Sequence, residues 1–120
     1  MIINEIPPVI HAMESIDGAA HITRGWPKSL ARLPCIAVQE ASNRPMKRYD
    51  NRPYIDTIEI DIRVFCVKFE EMDAICPQIE AQMEAMDYER IIAFDQLGFE
   101  INMKVMRYRK SLAARGNNDS

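Results

Sequence analysis

From Ile58 to Cys66, apolar side chains occupy every second position: Ile58, Ile60, Ile62, Val64 and Cys66. Glu59, Asp61 and Arg63 fall between them. Successive side chains of a strand point to opposite faces of its sheet, so a period of two predicts a half-buried strand over about 54–67. One face belongs to a core. The other carries two acids and a base, and its use is the question the sequence poses.

The remaining elements follow from the same patterning. Residues 6–16, IPPVIHAMESI, set Val9, Ile10, Met13 and Ile16 at helical spacing, with Asp17-Gly18 as the stop. Pro8 suits the first turn, where a missing N–H costs nothing. Residues 19–33 contain the breakers Gly25 and Pro27 and read as irregular. LPCIAVQE (33–40) predicts a strand with its proline at the first position. ASNRPMKRYDNRP (41–53) predicts a long polar loop. In EEMDAICPQIEAQMEAM (70–86), Met72, Ile75, Ile79, Met83 and Met86 form the stripe of an amphipathic helix. An N-cap at Asp73 would leave Pro77 at the edge of the first turn, where it is tolerated.

YERIIAF (88–94) predicts a strand, DQLG a turn, and FEINMKVMRYR (99–109) the last strand. After Val105 the apolar phase shifts to Met106 and Tyr108, as a bulge or a second packing surface would require. The end, KSLAARGNNDS (110–120), is polar and has no core face. The order α-β-β-α-β-β predicts an α+β fold, a mainly antiparallel four-stranded sheet with helices packed on one face. It forms a single domain over 1–109, followed by a polar tail.

Composition bounds this picture without changing it. A chain of 120 residues buries one modest core, and no apolar run nears the roughly 20 residues of a membrane span. The start has acid where a secretory signal has base, and Pro7-Pro8 interrupts its apolar part. Three cysteines, an odd number, argue against a disulfide framework and for a reducing cytosol. The net charge of −3 hides a segregation. Residues 1–52 carry seven bases and five acids, 53–100 three bases and twelve acids, and 101–120 five bases and one acid. A nucleic-acid binder would show a dominant basic face, and this chain does not. Basic ends around an acidic middle fit either strands that balance one another or complementary surfaces of adjoining subunits.

Chemistry is sparsely signalled. Cys35, Cys66, Cys76, His11 and His21 form no C-x-x-C or H-x-x-x-H pair, so no metal or nucleophile is expected of them. Cys66 continues the apolar face of its strand and reads as core. The four glycines are scattered, which leaves no phosphate-cradling loop. Arg44, Lys47, Arg48 and Arg52 in the polar loop are solubilising charges or phosphate contacts. The expectation is a protein without catalytic residues, cofactor or metal.

Three segments taken together, LPCIAVQEASNRP (33–45), YIDTIEIDIRVF (54–65) and KVMRYR (104–109), resemble the tail completion proteins of long-tailed bacteriophages. These are also called tail terminator or tail-to-head joining proteins. The resemblance spans about 30–109. It implies a structural virion protein of the neck, assembled in the host cytoplasm. Such proteins form a homo-hexameric ring that caps the tail tube and receives the head connector or stopper protein, and DNA passes through the channel without specific binding. The family has no catalytic residues; Glu40, Asn43 and Pro45 would end a strand and shape the loop. In such a ring Glu59, Asp61 and Arg63 would line the lumen or meet the next subunit. Arg44, Lys47, Arg48, Arg52, Arg107 and Arg109 would be docking residues for tube or connector. The competing reading is a small dimeric cytosolic α+β module that binds a ligand or partner without catalysis.

Overall fold

A computed structural model of the protein describes residues 4–45, 55–96, 98 and 100–113. The chain runs α1 (Ile6–Met13), β1 (His21–Arg24), β2 (Cys35–Pro45), β3 (Ile55–Cys66), α2 (Phe69–Ala85), β4 (Glu89–Gln96) and β5 (Asn102–Ala113). One sheet has the strand order β1-β2-β3-β5-β4. β1 lies parallel to β2, and every other neighbouring pair is antiparallel.

The alternating strand is the centre of this sheet. Ile58, Ile60, Ile62 and Val64 of β3 are fully buried. They pack with Ile6, Val9 and Met13 of α1, Ile75, Ile79 and Met83 of α2, and Met106 and Tyr108 of β5 in one cluster. Both helices therefore cover the same face. Polar groups inside this layer are met by partners, as burial demands. The Tyr108 hydroxyl donates to Glu80 Oε1 of α2 at 2.6 Å. The Tyr88 hydroxyl and Lys110 Nζ both donate to Glu5, at 3.2 and 3.3 Å, tying the start of α1 to the end of the sheet. Gln78 clamps the turn after α1, accepting from Asp17 N and donating to Asp17 O. Gly18 completes that turn at φ +95°, a conformation that other residues rarely adopt.

The sheet corrects the expected architecture. It is mixed and five-stranded rather than mainly antiparallel and four-stranded, and the order is α-β-β-β-α-β-β. The additional strand, β1, lies within the stretch read as irregular. It has four residues, and only Ile22 packs against the main cluster, so it offers no alternating run to recognise. β2 continues to Pro45 and β5 to Ala113, into segments expected to be loop and tail. Most of the expected loop, residues 46–53, lies outside the described residues, as do 114–120 of the expected tail.

The last strand has no bulge at Val105. Its register with β3 runs unbroken from Cys66↔Asn102 to Ile55↔Ala113. Val105 and Met106 are both buried because they serve opposite faces. The register shifts fall elsewhere, between Glu40 and Ser42 and between Arg90 and Ile92.

α2 starts at Phe69, after an extended Lys68, rather than at an Asp73 cap. Pro77 thus sits inside the helix and removes the hydrogen bond its N–H would have given, a cost of ~3 kcal/mol. The earlier start buries Met72, worth about 1.5–3 kcal/mol, and places Glu70 and Glu71 in the first turn, where the helix dipole favours acids.

The helix ends in a Schellman arrangement. Tyr88 N donates to Met83 O at 2.9 Å and Asp87 N to Glu84 O at 3.0 Å, with Asp87 at φ 68°. Glycine is the usual residue at that position. Asp87→Gly is therefore expected to stabilise the fold by about 0.5–1 kcal/mol, read as a higher urea midpoint at unchanged slope.

Candidate functional site

The helices leave the other face of the sheet uncovered. Antiparallel register lines up Gln39, Asp61 and Arg107 across β2, β3 and β5. The adjacent rows are Ala37, Arg63 and Val105, then Cys35, Phe65 and Met103. β4 adds Ile92 beside Arg107 and Phe94 beside Val105. Paired residues share a face, so the polar half of the alternating strand forms the middle of this surface.

Asp61 is its centre. Only 3% of the residue is exposed. Arg107 grips the carboxylate with both arms, Nε donating to Oδ1 at 2.6 Å and Nη2 to Oδ2 at 3.0 Å. Arg63 approaches Oδ2 at 3.5 Å and donates to Gln39 Oε1 at 2.9 Å. The fork of a guanidinium matches a carboxylate in this way, and such bidentate pairs are among the stronger hydrogen bonds in proteins. Asp61 in turn holds the Arg107 guanidinium above its already high pKa, chiefly through these hydrogen bonds.

A lid of aromatic surface closes one end. Gly25, at φ +75°, turns the chain after β1 and donates its N–H to Val38 O at 2.8 Å. Trp26 then lies over the sheet, 5.6 Å from the Phe65 ring at 60° and 4.9 Å from the Arg63 guanidinium carbon. Beneath it Cys35, Ala37 and Phe65 make a small second core with Leu33, Ile101 and Met103. Trp26 remains 58% exposed, and across the surface Ile92 and Phe94 are 49% and 46% exposed. Between these walls runs a groove of about 420 Å³, floored by Asp61, Arg63, Val105 and Arg107. A second hollow of about 270 Å³ shares Trp26 and is lined by His21, Arg24, Lys28 and Arg32.

The residues nominated from sequence divide accordingly. Asp61 and Arg107, assigned above to different roles, are partners in one ion pair. Arg63 belongs to the same network and is largely buried. Glu59 is half-buried and lies opposite Arg109 in the register, while Arg109 reaches Glu89 at 3.7 Å. Arg44 is exposed on the same face, opposite Thr57. Lys47, Arg48 and Arg52 lie outside the described residues. Trp26, Ile92 and Phe94 were not singled out from sequence. The available signal was a lone tryptophan between two chain breakers, and a strand apolar on consecutive positions where only one face is covered.

The thiols take no part in the ion-pair network. Cys35 and Cys66 are buried and Cys76 is half-buried. Burial raises all three, Cys76 to about 11. Among the described residues no three His, Cys, Asp or Glu side chains are grouped to hold a metal ion, and no helix is long and apolar enough to cross a membrane. What the uncovered face presents is an apolar-walled groove over an internally paired network of one acid and two bases.

No protein-family model matches the chain, and no curated protein matches it. Among solved structures it is similar to a chain of the virion of a native gene transfer agent particle. The alignment has a TM-score of 0.50 at 11% sequence identity and covers 88% of this chain and 92% of that one. At this identity the likeness is one of fold.

Two outcomes are expected of the site. Arg107→Ala leaves a buried carboxylate with Arg63 as its remaining cation and should cost about 3 kcal/mol, the low end for breaking a buried pair. Arg63→Ala, which leaves the bidentate pair intact, should cost less in the same denaturant titration. The second outcome concerns Cys76. Raised from an ordinary 9.0 to about 11, the thiol is roughly a hundred-fold poorer in thiolate at pH 8, so native alkylation of Cys76 should be slow by a similar factor. Peptide mass spectrometry after timed iodoacetamide quenching measures it.

Proposed function

We propose that the protein is a structural component of a phage-like virion, and within it the tail completion protein: a homo-hexameric ring that caps the tail tube and joins it to the head connector. The observation that carries this reading is the shared fold with the virion chain, which covers nearly the whole of both molecules. A second observation agrees with it. The three sequence segments that resemble tail completion proteins form β2, β3 and β5, which are adjacent at the middle of the sheet.

The surface chemistry suits assembly rather than catalysis. The thiols are packing groups with raised pKa values, and the largest charged network is consumed internally. The exposed aromatic and aliphatic walls belong to a face made for protein. In this reading DNA passes through the ring without specific contacts. Arg44 and Arg109, together with the bases at 47, 48 and 52, are the proposed docking residues toward tube or connector.

The reading is tested by removing the chain from a phage that encodes it. Heads and tails fold and assemble independently, so the lysate should contain DNA-filled heads beside separate tails, and purified protein added to it should restore joined particles. Electron microscopy of the lysate decides this. Normally joined, infectious virions without the chain would return it to the class of small partner-binding modules.

A further inference from the structure

The two faces of the sheet are unequally furnished, and the imbalance has a charge signature. α2 carries five acids and neither Lys nor Arg, whereas residues 18–39 carry Arg24, Lys28 and Arg32 and no acid. Glu70, Asp73 and Glu84 are exposed and make no ion pair with any described residue, and the same holds for Arg24, Lys28 and Arg32. Of the bases beside the helix, Arg90 is engaged with Glu80 and Lys104 with Asp95, while Lys68, at the helix N-cap, makes no ion pair with a described residue.

The outer side of α2 is also shaped for contact. Ala74, Pro77, Ala81 and Ala85 are exposed at spacings of three and four, which makes one smooth stripe edged by those acids. Opposite in character is the groove on the uncovered face, whose Trp26 wall is bordered by the basic hollow. A sheet face with exposed apolar walls lacks a covering layer.

From this we infer that α2 of one subunit lies against the uncovered sheet face of the next, its small-residue stripe between the walls and its acids on Arg24, Lys28 and Arg32. The inference rests on the ring reading and names the contact that closes the ring. The occupant is a second copy because this chain itself carries both complementary surfaces. They are different surfaces, one on each face of the sheet, so the contact is heterologous, the kind that generates rings when the rotation closes. Each α2 would then be shared, with Ile75, Ile79 and Met83 on its own sheet and the stripe on its neighbour's.

The test uses the full chain and two surface variants. One reverses the helix charges, Glu70→Lys, Asp73→Lys and Glu84→Lys. The other reverses the segment charges, Arg24→Glu, Lys28→Glu and Arg32→Glu. Circular dichroism checks that both remain folded, and native mass spectrometry reads assembly. Wild type should form closed oligomers whose lone tryptophan, Trp26, shifts its emission to the blue as it is covered. Each variant alone should associate at least about tenfold more weakly, because like charges then face each other. An equimolar mixture should recover rings that alternate the two variants, with the Trp26 shift restored. Rings formed by either variant at wild-type strength, or no recovery on mixing, would overturn this contact and leave the ring reading in place. Wild type that stays monomeric, with Trp26 shifting only on addition of tail-tube protein, would also overturn it, since the groove then takes a different partner.

Discussion

A carboxylate held at the middle of a sheet, with water excluded, is tolerable only when cations close on it. Asp61 meets that condition through the bidentate Arg107 and the nearby Arg63. Much of the second face depends on this arrangement. Arg63, pulled toward the carboxylate, becomes the platform under Trp26, and Trp26 in turn shelters Phe65 and the small core around Cys35. The pair also constrains the register. Sliding β5 by one residue would carry Arg107 to the helix-covered face and leave Asp61 without its principal partner, so the ion pair and the apolar core specify the same alignment.

Seen this way, the alternating strand has two interiors of different kinds. Toward the helices it presents branched aliphatic side chains, with the Cys66 thiol at its end. Away from them it presents Asp61 and Arg63, paired within the chain, framed by aromatic and aliphatic surface that is not covered. A face of this kind is neither an ordinary solvated surface nor a finished core. Its charges are paired internally, so a partner's approach is governed by the uncompensated groups around it.

How much of this could be read from the sequence depended on the length of each pattern and on whether it was local. β3 and α2 were legible because long runs alternate or recur against one covering layer, and both were placed within a few residues. β1 was not, since one inward side chain in four residues carries no period. α2 starts earlier than its proline suggests because the burial of Met72, a tertiary fact, offsets much of proline's cost. On the second face, Glu59, Asp61 and Arg63 were identified as residues needing an explanation. The principal partner of Asp61 is 46 residues away and becomes a neighbour only through strand register. Trp26 and the pair Ile92 and Phe94 come from opposite edges of the sheet and make one groove only once five strands are ordered.

The bulge in β4 has a further bearing on how such a molecule behaves in a crowd. An open sheet edge is a row of unpaired amides, and a long flat one recruits other strands without limit. Here one edge is a strand of four residues. The other is interrupted between Arg90 and Ile92 and carries Glu89, Arg90 and Asp95 along its length. Neither is a good template for end-to-end zipping. The protein is thereby guarded against fibrous growth, so that side-chain surfaces, which can count their neighbours, are left to decide the size of what it builds.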